Sequence, residues 1–162
     1  MFTLTKTFIL KTIPVIFLIA LPILITASNG YQQIFYSLTN EDGLSQGSIL
    51  CICQDNMGFI WIGTNDGLNR YDGYNVKIYR NIPGDTTSLS SNRISSLFAD
   101  NNGYVWIGTA GGGLNKYDPA VNKFTRYYFK TPSKELFGSI INSIAKDTNG
   151  NIWIGTNNDG LI

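Results

Sequence analysis

One ten-residue phrase occurs three times in this chain, and it limits the fold more than any other feature. The copies are Asp55-Asn-Met-Gly-Phe-Ile-Trp61-Ile-Gly-Thr64, Asp100-Asn-Asn-Gly-Tyr-Val-Trp106-Ile-Gly-Thr109 and Asp147-Thr-Asn-Gly-Asn-Ile-Trp153-Ile-Gly-Thr156. Their tryptophans stand 45 and 47 residues apart. The likeness extends upstream, where Ile49/Ile52, Ile94/Leu97 and Ile141/Ile144 keep one register to the Asp, and Leu44, Leu89 and Leu136 align before them. Downstream, Gly67-Leu-Asn-Arg-Tyr-Asp72 matches Gly113-Leu-Asn-Lys-Tyr-Asp118, and Gly160-Leu161 begins the same phrase again. A period of this length marks a repeat architecture, in which one supersecondary unit is stacked on copies of itself.

Each unit reads as four short strands. In the first copy these are Ser48–Gln54, Phe59–Thr64, Leu68–Tyr71 and Val76–Arg80, with turn residues between them and a polar loop, 81–92, after the last. Short strands joined by tight turns make an antiparallel meander, and a four-stranded meander of about 40–50 residues is a β-propeller blade. The expected fold is therefore all-β: about three four-stranded antiparallel blades in an incomplete ring. The repeated residues have mechanical roles. Asp55, Asp100 and Asp147 can accept backbone N–H bonds two or three residues on and close an Asx-type turn. Gly58, Gly103 and Gly150 supply the positive φ such a turn needs. Trp61, Trp106 and Trp153 are expected to pack as plates between neighbouring blades, and Gly63, Gly108 and Gly155 to make room for a neighbour's side chain. Because all of these recur, they are read as architecture.

Residues 1–27 read as a targeting segment, expected as a signal helix. Lys6 and Lys11 precede an apolar run from Thr12 to Thr26 that is interrupted by Pro14 and Pro22, and Ala27-Ser28-Asn29-Gly30 offers a small-residue cleavage zone. An uncleaved membrane anchor is the alternative. Residues 28–47 follow as linker and latch: Gln33–Leu38 resembles a fourth strand and is expected to complete a final blade supplied from elsewhere. The expected blades then run 48–92, 93–139 and, in part, 140–162.

Composition removes several function classes. Histidine is absent, which rules out phospho-accepting histidine, His-based triads and His metal ligands in this sequence. The formal net charge is +1 and the basic residues are scattered, so no nucleic-acid footprint exists. The two cysteines, Cys51 and Cys53, lie on one face of a strand, too far apart for an easy disulfide, and read as small buried hydrophobes. No metal site and no cofactor are expected.

The repeat phrase resembles the two-component regulator propeller repeat, D-x-x-G-x-[IV]-W-[IV]-G-T followed by G-L-x-[KR]-Y-D. The likeness runs from about Ile34 to the end of the chain. It implies a periplasmic sensor of a hybrid two-component histidine kinase, in which propellers precede a β-sandwich, a membrane helix and cytoplasmic kinase and regulator domains, and in which the ligands are largely oligosaccharides. On that likeness the chain is expected to be an N-terminal or truncated piece carrying sensor blades, non-catalytic, exported to the periplasm, and partnered by the remaining blades and the kinase portion. Three blades are too few to close a ring, so the separate chain is expected to be unstable.

In a meander the loops after the second and fourth strands emerge at one end, and that end is the expected ligand face. The candidate ligand residues there are Asn65, Asp66, Asn92, Arg93, Asn157, Asn158 and Asp159. Their side chains can bond sugar hydroxyls, and Arg93 can reach an acidic sugar. Plain solvated turn residues are the alternative reading. Tyr71 and Tyr117 can stack on a sugar ring, but their repetition points to the core. Rival functions are a protein-interaction scaffold, a quinone-cofactor propeller and a propeller glycosidase or lyase. The last needs paired carboxylates at a catalytic separation, and the only regular carboxylates here sit in turns that explain them.

Overall fold

A computed structural model describes residues 35–128, 130–131, 134–135 and 139–162. The chain divides into two compact units, Met1–Tyr36 and Ser37–Ile162. The signal segment, residues 1–27, and Gln33 and Ile34 of the expected latch lie outside the described residues. Phe35 and Tyr36 belong to no strand and are almost fully exposed.

Within the second unit the blades follow the sequence. Strands β1 (Ile49–Gln54), β2 (Ile60–Thr64), β3 (Gly67–Tyr71) and β4 (Val76–Tyr79) form one four-stranded antiparallel sheet in chain order. Strands β5 (Ile94–Ala99), β6 (Val105–Thr109), β7 (Leu114–Asp118) and β8 (Lys123–Tyr127) form the second. A short hairpin of two two-residue strands, β9 (Lys130–Thr131) and β10 (Lys134–Glu135), lies in the next connection. Strands β11 (Ile141–Lys146) and β12 (Ile152–Thr156) open the third blade. Its third strand is only begun: Leu161 bridges Gly155, and Ile154 and Ile162 exchange backbone hydrogen bonds of 2.8 and 2.9 Å.

Register is preserved from blade to blade. Cys53 opposes Trp61, Phe98 opposes Trp106, and Ala145 opposes Trp153. Each first strand carries the same irregularity near its start, between Ile49 and Cys51, Ile94 and Ser96, and Ile141 and Ser143. The first strands are innermost, β1 lying against β5 and β5 against β11.

The core sits between sheets. Trp61, Leu68 and Tyr79 of the first blade meet Ile94, Val105, Ile107, Tyr117 and Phe124 of the second. The Trp61 ring lies 4.9 Å from that of Tyr117 and 5.8 Å from that of Tyr79. A smaller cluster joins the second blade to the third through Leu114, Ile141 and Ile154, with Trp106 and Tyr127 against it. The three tryptophans are therefore not equivalent. Trp61 is 1% exposed, Trp106 is half-buried, and Trp153 is 44% exposed. Each indole is covered by the blade that follows, so burial grades with how much of that blade is present. The leading face behaves likewise. Leu97 and Ile144 pack against the preceding blade, while the equivalent Ile52 is 64% exposed.

Candidate functional site

The aspartates that open each phrase act as turn closers and indole anchors. Asp55 Oδ1 accepts the backbone N–H groups of Met57 and Phe59, both at 3.0 Å, and its Oδ2 accepts the Trp61 indole N–H at 2.7 Å. Asp100 and Asp147 repeat this with Trp106 at 3.2 Å and Trp153 at 3.1 Å. The turn bonds span two and four residues rather than two and three. Gly58, Gly103 and Gly150 carry φ of 88°, 86° and 91°, a conformation that disfavours a side chain. Asp100 is buried and also bonds Lys146 of the third blade at 3.2 Å. Burial raises its pKa, but the hydrogen bonds from Trp106 and Lys146 outweigh that and leave it below the usual range. The Asn151 amide and the Trp153 indole hold Asp147 down to about 2. A carboxylate so committed is unavailable for acid–base work.

Gly63 and Gly108 stand where sheets approach most closely. A Cβ on Gly63 would lie 2.7 Å from Ile94 Cγ2, and one on Gly108 would lie 2.7 Å from Ile141 Cγ2. Cys51 and Cys53 are free thiols facing the same seam. Burial pushes Cys51 up to about 11 and Cys53 up to about 12, so both stay protonated and unreactive at neutral pH.

Sequence reasoning missed a buried polar network that recurs in the first two blades. Asn69 Oδ1 accepts the Ser45 N–H at 2.8 Å, its Nδ2 donates to Ser45 Oγ at 2.9 Å, and Ser45 Oγ meets Thr64 Oγ1 at 2.9 Å. Asn115, Ser90 and Thr109 repeat it at 3.0, 2.8 and 3.4 Å. The signal was present: an Asn repeated in the first two copies and a Thr repeated in all three, placed in strands where turn chemistry does not explain them. A second missed element is Asn122, whose Oδ1 accepts from Lys77 Nζ, Tyr79 Oη and Tyr117 Oη and so clamps two blades.

The loops after the second and fourth strands share one end, as expected. Gly67 N donates to Asn92 O at 2.8 Å, Ala110 N to Arg93 O at 2.9 Å, and Asn157 N to Ile140 O at 3.0 Å. Where these loops meet the inner strands lies a cleft of about 430 Å³, lined by Leu50, Asn65, Arg93, Ile94, Ser95, Ala110 and Ile140. Of the candidate ligand residues it unites Asn65 and Arg93. Asp66 is drawn away by Arg80, whose guanidinium bonds its carboxylate at 2.8 Å. Asn92 is structural, its Oδ1 accepting the Asn81 N–H at 2.7 Å. Asp159 accepts a hydrogen bond from Ser139. Asn157 and Asn158 are exposed on the third blade's turn and line none of this cleft. Tyr117 is buried in the seam, whereas Tyr71, at the same position of the first blade, bonds Gly73 O and stays half-exposed. Among the described residues no cluster of three or more His, Cys, Asp or Glu is placed to hold a metal.

Comparison with known proteins agrees with this architecture. The profile of the Two component regulator propeller family matches at residues 43–66, 88–111 and 135–158, one stretch per blade. Over 57 residues, 35% of the chain, the sequence is 56% identical to Histidine kinase P4 of Formosa agariphila. The fold matches the extracellular domain assigned to a hybrid two component system of B. thetaiotaomicron with a TM-score of 0.68 and 28% identity over 78% of the chain. It also matches the extracellular domain assigned to a one component system of the same organism, with a TM-score of 0.61 and 27% identity over 80% of the chain. The chain spans 4% of the length of that kinase and 18% of each of those domains. With a profile match on every blade and the blades themselves in view, the chain belongs to the two-component regulator propeller family.

Proposed function

We propose that these blades form part of the ligand-recognition propeller of a membrane two-component sensor, placed outside the cytoplasm, which binds an oligosaccharide and passes the signal to a kinase module. The observation that carries this reading is the match to the extracellular domain assigned to a hybrid two component system over 78% of the chain. An export signal at residues 1–27 fits the same location, and the chain itself is read as non-catalytic. Its remaining partners are the other blades of the ring and the kinase portion. The ligand end is the one bearing the cleft, where the hydrogen-bonding side chains of Asn65 and Arg93 and an apolar floor suit a sugar. The turn aspartates are spent on backbone and indole bonds, which argues against a glycosidase or lyase.

The test is a calorimetric titration of defined oligosaccharides, with the sugars analysed by chromatography after overnight incubation. Saturable binding with the sugars recovered intact is the expected result. Shortened or unsaturated products would replace the sensor reading with an enzymatic one.

A further inference from the structure

The cleft at the inner edge has a charge bias that the architecture does not explain. Its floor is apolar, formed by Leu50, Ile94, Ala110 and Ile140. Three polar side chains line it. Ser95 is committed, its Oγ donating to the Ile141 carbonyl at 2.7 Å. Arg93 is held by its backbone, the N–H donating to Ser91 Oγ at 3.2 Å and the carbonyl accepting Ala110 N–H at 2.9 Å. Its guanidinium is exposed and has no protein partner among the described residues. Asn65 is held in the same manner, its N–H donating to Gln46 Oε1 at 3.1 Å, while its side-chain amide has no partner among the described residues. The neighbouring carboxylates are occupied: Asp66 by Arg80 and Asp159 by Ser139.

Comparison between the repeats sharpens the point. Positions the fold requires recur in every copy. The position of Arg93 does not: it is Ser48 in the first blade and Ile140 in the third. The fold therefore accepts a small, a charged or an apolar residue there, and packing does not demand the guanidinium. A rigidly based, uncompensated guanidinium beside a free amide and an apolar floor presents a planar donor fork to an anion and a surface to the C–H face of a ring.

We infer that the cleft takes an anionic sugar residue. The carboxylate or sulfate ester sits on the Arg93 guanidinium, a neighbouring hydroxyl bonds the Asn65 amide, and the ring lies on Leu50 and Ile140. This rests on the oligosaccharide reading above and narrows it to the ligand's charge.

The experiment titrates the full chain with three oligosaccharides of equal length, one neutral, one bearing uronates and one sulfated, with sodium acetate and sodium sulfate alongside. At low salt at least one anionic oligosaccharide should bind about tenfold or more tightly than the neutral one, the size of one charge-assisted contact. The preference should shrink as salt is added. Comparing the uronate and sulfate arms shows which anion the site takes. Arg93→Gln should remove the preference for the anionic sugar while the melting temperature holds, and Arg93→Lys should keep part of it. Equal affinities for neutral and anionic sugars, or a preference that survives Arg93→Gln, would overturn the inference and leave the oligosaccharide reading standing. Acetate or sulfate binding as tightly as the sugars would overturn it too. Absence of binding to any of the three sugars would remove both.

Discussion

At the residue scale, the repeated Asp and Trp work as one device. The carboxylate closes the turn with one oxygen and holds the indole N–H with the other, so the plate is aimed before the next blade packs on it. What the plate is worth depends on that blade. Trp61→Ala should cost about 3–5 kcal/mol, as for a large buried aromatic, whereas Trp153→Ala should cost less than about 1 kcal/mol, as for an exposed site. Urea melts of the two variants check this, and equal losses would contradict the seam described here. The aspartates also set an acid limit. Asp147, held at about 2, and Asp100, held below the usual range, have folded pKa values beneath their unfolded ones. Their contribution is present above pH about 4 and is lost as the pH falls toward about 2. The urea midpoint should hold between pH 7 and 5 and drop between 4 and 2.5. Asp100→Ala, which leaves the half-buried Trp106 indole N–H and Lys146 without their acceptor, should cost about 1–3 kcal/mol at pH 7 and flatten part of that drop.

At the element scale, the second strand of each blade is shaped by what crosses it. A Cβ at the Gly in Trp-Ile-Gly-Thr would meet the first strand of its own blade, at Cys51, Ser96 or Ser143, and in the first two blades the first strand of the next blade as well. Gly63→Ala and Gly108→Ala would press a methyl group into Ile94 and Ile141 and should cost about 1–3 kcal/mol each, the usual range for overpacking. Gly155→Ala meets only Ser143 of its own blade and should cost less. Thermal melts of the three variants decide it. The spacing rule was legible in the sequence, since a Gly inside a strand pattern marks a close approach. The partner was not legible, because Ile94 and Ile141 lie in the following repeat and only the packing of sheet on sheet brings them there.

At the scale of the molecule, the described blades form an arc with two unlike apolar ends. Ile49 and Ile52 are exposed at the leading end, and Trp153 and Leu161 at the trailing end. Within the chain these same positions meet one another across each seam, so the ends are the two halves of one interface. As a separate molecule the chain should therefore associate head to tail at micromolar concentration. Analytical ultracentrifugation should show mass rising with concentration, and Ile52→Glu or Trp153→Glu should each suppress it. A monomer with a sharp cooperative melt would refute the expectation.

The blade, its four strands and its turns could be read from local chemistry, because a turn glycine, an Asx-forming Asp and an alternating strand act over a few residues. The family was recognised by the resemblance of the repeated phrase to a known propeller repeat. The order of the candidate site residues could not. Asp66 and Asn92 looked as available as Arg93 in one dimension, and it took the fold to commit the first to Arg80 and the second to Asn81 while leaving Arg93 open beside Asn65. Polar side chains reveal their role only when their partners arrive, and those partners come from other strands and other blades.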